Sequence, residues 1–96
     1  MKPYLVLIHG NATSEATEQE WSRFFSEARD SGLFRGGSEI GKRTILGNHQ
    51  SAKSTDHLVG YLRFDATERQ KIVDLLARHP VVLHGGSVEL CELPES

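Results

Sequence analysis

The sequence predicts an α+β fold in which two helices cover one face of a four-stranded antiparallel sheet. Three features of the chain indicate it. The stretch 57–65 alternates in the manner of a strand with two different faces. The segments 18–31 and 67–79 repeat apolar residues at helical spacing. The runs 3–10 and 87–93 are of strand length and lie near the two ends of the chain.

The stretch 57–65 is the predicted central strand, and its two rows of side chains differ in chemistry. A strand with one apolar and one mixed row packs on helices with the first row and faces a wetter surface with the second. We therefore expect functional residues on the mixed row. The apolar row consists of Leu58, Leu62 and Phe64, and the mixed row of His57, Val59, Tyr61 and Arg63.

The first half of the chain predicts a strand, a helix and a weak strand. The apolar run 3–10 indicates a buried strand with both faces covered. Thr17 and Glu20 form a capping box, so helix one is predicted at 18–31, before Gly32. Residues 33–42 are rich in glycine and predict a turn-rich connection, and 43–46 a short strand.

The second half predicts a helix and a last strand. Thr67 and Gln70 form a second capping box, and helix two is predicted at 67–79 because Pro80 cannot continue it. Residues 81–86 return the chain to a last strand at 87–93. The order is βαββαβ, the ferredoxin-like arrangement of two right-handed crossover units, in one domain spanning 1–96.

Composition excludes several classes of protein. With 96 residues, 25% charged and 38% hydrophobic, and a net charge of -2, the chain is an ordinary soluble globular protein. Its Lys and Arg residues are scattered, so we expect no nucleic-acid partner. We expect no membrane association, because no apolar run reaches the length of a span. The N-terminus lacks signal-peptide features and Cys91 is the single cysteine, which favours the cytoplasm.

Two helices can cover only one face of a four-stranded sheet. The other face would carry Val59, Tyr61, Cys91 and part of the first strand. Burial of apolar area contributes about 25 cal/mol per Å², so a second copy of the same face is a favourable cover. We expect a two-fold homodimer that packs sheet to sheet.

Short pieces along nearly the whole chain resemble those of one protein family in their order and spacing. They are Tyr4-Leu5-Val6-Leu7-Ile8, Trp21, Phe24, Ser31-Gly32-Leu33, Gly36-Gly37-Ser38-Glu39-Ile40, Gly60-Tyr61, Ala77-Arg78-His79-Pro80 and Gly85-Gly86-Ser87-Val88-Glu89-Leu90. The chain resembles a YCII-related protein of the branch named for its DGPF motif. The resemblance implies a dimeric α+β barrel. The sequence departs from the family at its signature, because Asn48-His49-Gln50-Ser51 stands where Asp-Gly-Pro-Phe is expected.

Histidines at strand ends are the first candidates for chemistry. His9 ends the first strand and His57 begins the central one, so antiparallel pairing would bring His9 toward Asp56 and His57. A histidine near a carboxylate can act as a general base or a substrate binder, and we take these three as candidate catalytic residues. The alternative is that both histidines only bond backbone carbonyls and water. The three lack a metal-ligand spacing, so we expect no metal and no cofactor.

Three further residues are candidates for ligand binding, each with a simpler alternative. Tyr61 either holds a ligand or packs across the dimer with its hydroxyl on a backbone group. Arg63 either binds an anion or extends into solvent. Arg43 either contacts an anion or lies on the surface of an edge strand. Of the other histidines, His79 is expected to close helix two at its negative end, and His49 and His84 to lie in loops.

Three functional hypotheses from different classes remain. The first is a small enzyme that acts on a compact polar or aromatic molecule, between sheet and helices or at the dimer seam, with a His/Asp pair moving protons. The second is a noncatalytic ligand-binding or sensing module that uses the same cavity. The third is a structural or interaction dimer. Convergence of His9 with Asp56 or His57 on a cavity would argue against the third.

Overall fold

A computed structural model describes residues 1–94 as one four-stranded antiparallel sheet with helices on one face. The strand order is β2-β3-β1-β4, which is the ferredoxin-like order and confirms the predicted fold class. The elements are β1 (Lys2–His9), α1 (Glu18–Asp30), β2 (Phe34–Glu39), β3 (Leu58–Ala66), α2 (Arg69–Leu76), α3 (Pro80–Leu83) and β4 (Val88–Glu92).

The two central strands, β1 and β3, have the two-faced pattern that alternation predicts. In their register Val6 lies opposite Leu62 and Leu7 opposite Tyr61. The buried row of each strand faces the helices, and together with them it forms the hydrophobic core. The core residues are Tyr4, Val6, Ile8, Phe24, Ala28, Leu62, Phe64, Ala66, Ile72, Leu75 and Leu76.

The first helix begins where its capping box predicts. The Thr17 hydroxyl accepts a hydrogen bond from the backbone N–H of Glu20 at 3.1 Å, and the Glu20 carboxylate accepts one from the Thr17 N–H at 3.0 Å. Two of the four unpaired amides at the helix start are satisfied in this way. The helix ends at Asp30, before Gly32 adopts a left-handed φ of 73°.

The prediction of a strand at 43–46 is wrong, since β2 lies at Phe34–Glu39, inside the stretch predicted as a connection. A register shift separates Phe34 from Gly37 in its pairing with β3. Gly36 has a left-handed φ of 105° within this bulge. A Cβ on Gly37 would collide with the Tyr61 carbonyl oxygen. The glycines here permit close backbone contact within the sheet, a role that local propensity does not reveal.

The second helical segment is shorter than predicted and is followed by another helix. The capping box at Thr67 and Gln70 does not form, because α2 begins after Glu68, which makes no side-chain cap bond. Pro80 ends the first segment but also opens α3, where its missing N–H costs nothing. The prediction that His79 closes helix two is therefore wrong. His79 caps the start of α3 by accepting from the Val81 N–H at 3.1 Å.

The sheet face without helices carries half-buried apolar side chains beside the exposed charges of Arg63 and Glu89. Leu5 and Leu7 of β1 lie on it opposite Cys91 and Glu89 of β4, so the helices cover only one face of the first strand rather than both. Val59 of β3, predicted for this face, lies at the register shift between β1 and β3 and instead lines the same clefts as Trp21 of α1 and Val81 of α3. Among residues 1–94, none of the helices has the length and apolar character needed to cross a membrane.

Candidate functional site

A cleft of about 550 Å³ opens at the end of the sheet where β1 ends and β3 begins. Its apolar walls include Trp21, Val59 and Val81, and its polar groups include His9, Ser14 and His84. We call it the His9 cleft. A second cleft of about 530 Å³ adjoins it and shares Trp21, Val59 and Val81. Volumes of this order, with apolar walls and few polar groups, are typical of small-molecule sites.

His9 lies beside both an aromatic ring and a carboxylate. Its Nε2 contacts Glu89 Oε1, and its ring centroid is 5.5 Å from that of His57 at an interplanar angle of 44°. The backbone sets this arrangement, because the His9 N–H donates to Ser87 O at 3.1 Å and the Gly10 N–H donates to His57 O at 2.8 Å. The structure therefore brings His9 and His57 together.

Asp56 stands apart from this pair. Its side chain is 91% exposed, and Arg43 Nη1 lies 3.8 Å from its carboxylate. The carboxylate that contacts His9 is that of Glu89. Glu89 lies on β4, which pairs with β1 on the side away from β3. The sequence predicts a partner for His9 on β3 only, but β1 is a central strand and also pairs with β4.

The three candidate ligand-binding residues lie in different surroundings. Arg43 is in the connection between β2 and β3, and its guanidinium donates to the carbonyls of Thr55 and Leu58. It therefore braces that connection, so an anion would compete with these carbonyls. Tyr61 is half-buried and lines the second cleft. Arg63 is exposed on the helix-free face, opposite Leu5.

His84 belongs to a hydrogen-bond chain that the sequence did not suggest. Its Nδ1 lies 2.7 Å from Ser14 Oγ, and its Nε2 lies 2.8 Å from Glu20 Oε2. The backbone N–H of Thr17 and the His84 ring both bond the Glu20 carboxylate and hold its pKa below the usual value. The only signal in the sequence was the capping box, which engages one oxygen of Glu20 and leaves the other free.

Metal-ligating side chains do not cluster in the part of the chain that the structure describes. Over residues 1–94, no three His, Cys, Asp or Glu side chains lie close enough together to hold an ion. The polar side chains that line the His9 cleft are two imidazoles, two hydroxyls and a carboxylate, those of His9, His84, Thr13, Ser14 and Glu15. Such groups can transfer protons and donate or accept hydrogen bonds.

Comparison with known proteins shows the fold class. No protein-family model matches the sequence, and no curated protein matches it. The structure is similar to the 5-chloro-2-hydroxyhydroquinone dehydrochlorinase TftG of Burkholderia phenoliruptrix AC1100, solved in complex with 2,5-dihydroxybenzoquinone. The two share 9% identity at a TM-score of 0.50, over 98% of this chain and 95% of that one. At3g17210 of Arabidopsis thaliana is also similar, with 9% identity and a TM-score of 0.46 over 100% of this chain and 96% of that one. The similarity to TftG shows the fold alone, a small α+β fold with a four-stranded antiparallel sheet.

Proposed function

We propose that the protein binds a compact polar or aromatic molecule in the His9 cleft and that His9 exchanges a proton with it. The observation that carries this proposal is that His9 lines the cleft and also contacts a carboxylate, Glu89. A carboxylate partner orients an imidazole and stabilises its protonated form. Geometry of this kind is what a general base needs.

The protonation of His9 follows from its partner. An ionised Glu89 can only accept, so Nε2 carries the hydrogen and Nδ1 has a free lone pair. That lone pair can take a proton from an acidic O–H of a ligand. His57 does not line the cleft, so its part in the proposal is to pass the proton on from His9, whose ring is 5.5 Å away.

The chemistry of the cleft suggests the class of ligand. Trp21, Val59 and Val81 offer apolar walls to a ring or a short alkyl group. The polar side chains of the lining are His9, Thr13, Ser14, Glu15 and His84, so an acidic hydroxyl at the edge of a ring would find hydrogen-bond acceptors. A phenol or hydroxyquinone has this composition. The dehydrochlorinase TftG was solved with 2,5-dihydroxybenzoquinone, and that compound is a suitable probe.

We also propose that the chain is a YCII-related domain over residues 1–96, that it forms a homodimer and that it works in the cytoplasm. The half-buried Leu5, Leu7 and Cys91 on the helix-free face support the dimer, since a second copy would remove them from water. Where the family has its DGPF signature, Ser51 donates from its backbone N–H to the Asn48 side chain at 3.2 Å and closes a turn. A free Cys91 is compatible with a reducing compartment.

The test is titration calorimetry with 2,5-dihydroxybenzoquinone on the wild type and on His9→Gln, with His49→Gln as the matched control. We expect His9→Gln to weaken binding by about tenfold or more, which corresponds to the loss of one charge-assisted hydrogen bond. His49 lies in the connection between β2 and β3, outside both clefts, so its variant should bind as the wild type does. Equal affinity of wild type and His9→Gln would refute the proposal.

A further inference from the structure

Ser14, His84 and Glu20 form a continuous chain of a hydroxyl, an imidazole and a carboxylate. Ser14 Oγ is 2.7 Å from His84 Nδ1, and His84 Nε2 is 2.8 Å from Glu20 Oε2. We call these residues the Ser14 chain. A nucleophile within hydrogen-bond reach of a base, with the base oriented by a third group, is the arrangement of covalent acyl-transfer catalysts. Ser14 and Glu20 are near neighbours in the sequence, whereas His84 lies 64 positions from Glu20.

The carboxylate end fixes the protonation of the imidazole. Glu20 accepts from the Thr17 N–H through one oxygen and contacts His84 through the other. Because an ionised carboxylate has no hydrogen to give, His84 Nε2 must carry the hydrogen of this bond. Nδ1 then presents a lone pair to Ser14 Oγ. In serine proteases the two ring nitrogens have the opposite roles, and either nitrogen of an imidazole can accept a proton.

The backbone holds the serine end in place. The Thr13 N–H donates to the His84 carbonyl at 2.8 Å, and the Thr13 hydroxyl donates to the same oxygen at 3.1 Å. These bonds fasten the segment that carries Ser14 to the residue that carries the base. The His84 side chain is 21% exposed, whereas Ser14 is exposed, so the hydroxyl is accessible and its base is mostly shielded.

We propose that Ser14 is a nucleophile for small carboxylic esters, with His84 as its base and Glu20 as the positioning residue. This activity goes beyond proton exchange at His9, because it needs a different hydroxyl and a different imidazole. Ser14 and His84 line the His9 cleft together with Trp21, Pro80 and Val81. These apolar walls fit a short alkyl or single-ring acyl group.

The reaction balances with water as the second substrate. Ser14 Oγ attacks the ester carbonyl carbon and gives its proton to His84 Nδ1. The tetrahedral intermediate collapses, the bond from carbon to the alcohol oxygen breaks, and the leaving alcohol takes the proton from His84. Water then attacks the acyl carbon and passes a proton to His84, which returns it to Ser14 as the carboxylic acid departs.

Covalent labelling is the first test. The full-length protein is treated with a fluorophosphonate, which phosphonylates an activated serine with loss of fluoride, and the modified peptide is mapped by mass spectrometry. We expect the label on Ser14, its loss in Ser14→Ala and its retention in Ser22→Ala, which removes an exposed serine of α1 outside the clefts. A wild type left unlabelled at Ser14 would overturn the proposal.

Hydrolysis of p-nitrophenyl acetate is the second test, and Glu20→Gln is its informative variant. Glutamine at this position keeps the capping box, so α1 should still form. We expect kcat to fall at least about tenfold in Glu20→Gln with KM nearly unchanged, and about a hundredfold in Ser14→Ala. A merely structural role for Glu20 would leave kcat at its wild-type value, and this result would refute its role as the positioning residue.

The two proposals for the cleft can fail separately. Glu20→Gln should still bind 2,5-dihydroxybenzoquinone, since Glu20 does not line either cleft and is not part of the His9 and Glu89 pair. His9→Gln should still be labelled at Ser14 by the fluorophosphonate. Loss of labelling in His9→Gln would contradict an independent Ser14 chain, even with ligand binding at His9 intact.

Discussion

The rings of Trp21 and His79 meet edge to face, with their centroids 5.1 Å apart and their planes at 89°. His79 is 0% exposed, and Phe24 contacts the same ring at 4.7 Å. Its Nδ1 accepts from the Val81 N–H, so Nε2 carries the hydrogen, and this atom has no hydrogen-bond partner within the described part of the chain. A charged imidazole in this position would be desolvated among aromatic rings.

The first prediction is a loss of stability in weak acid caused by His79. Burial lowers the pKa of His79 from 6.5 to about 4. Below pH 6.5 His79 is therefore protonated in the unfolded chain, whereas in the folded chain it stays neutral down to about pH 4. The contribution of His79 is complete above pH 6.5 and falls by about 3 kcal/mol as the pH decreases to about 4.

Urea denaturation of the wild type and His79→Asn between pH 7 and pH 4 measures this effect. Asparagine can still cap α3 but does not titrate, so the variant should be less stable at pH 7 and lose less stability on acidification. Parallel curves for the two proteins would contradict the assignment to His79.

The second prediction concerns the close approach of backbones at β2. A Cβ on Gly37 would collide with the Tyr61 carbonyl and lie 2.9 Å from a methyl of Leu62, so Gly37→Ala should destabilise the fold by about 2 kcal/mol. Gly41→Ala is the control, because nothing lies within 4 Å of its added methyl. Thermal unfolding of the two variants separates a steric effect from the loss of glycine flexibility. Similar melting temperatures would mean that β2 lies elsewhere.

The third prediction compares the effect on stability of two capping boxes that the sequence predicts. The one at Thr17 forms in the structure, and the one at Thr67 does not. Thr17→Ala should lower the free energy of unfolding by about 1 kcal/mol, since the Thr17 hydroxyl accepts from the Glu20 N–H. Thr67→Ala should change it by less than about 0.5 kcal/mol, because α2 begins after Glu68. Chemical denaturation resolves the difference, and an equal cost at the two positions would refute it.

Sequence periodicity predicts the elements of this fold that depend on residues close together in the chain. It fails for features that depend on contacts with a distant part of the chain. The rows of β3 and the start of α1 could be predicted, because alternation and the Thr17 capping box are encoded within a few residues. Gly37 looked like part of a turn because its role depends on Tyr61, on another strand. The contact between His84 and Glu20 joins residues 64 positions apart, and no local pattern contains it.

The fourth prediction concerns assembly. Leu7 is half-buried on the helix-free face, and we expect Leu7→Asp to dissociate the proposed dimer, since an unpaired charge in an apolar interface costs several kcal/mol. Ser22→Asp, on the exposed side of α1, should leave the dimer intact. Light scattering at micromolar concentration measures both, and a monomeric wild type would refute the dimer.

The fifth prediction distinguishes the two carboxylates that have been considered as partners of His9. Glu89 contacts His9 Nε2, whereas Asp56 is 91% exposed and lies beside Arg43. Removing the Glu89 charge should free the His9 ring from its present orientation. Glu89→Gln should therefore lower the affinity for 2,5-dihydroxybenzoquinone several-fold, and Asp56→Asn should leave it within about twofold. Calorimetry of both variants at one pH decides between them. If only Asp56→Asn lowered the affinity, the ligand would contact the connection before β3. The carboxylate that pairs with His9 in the bound state would then be that of Asp56.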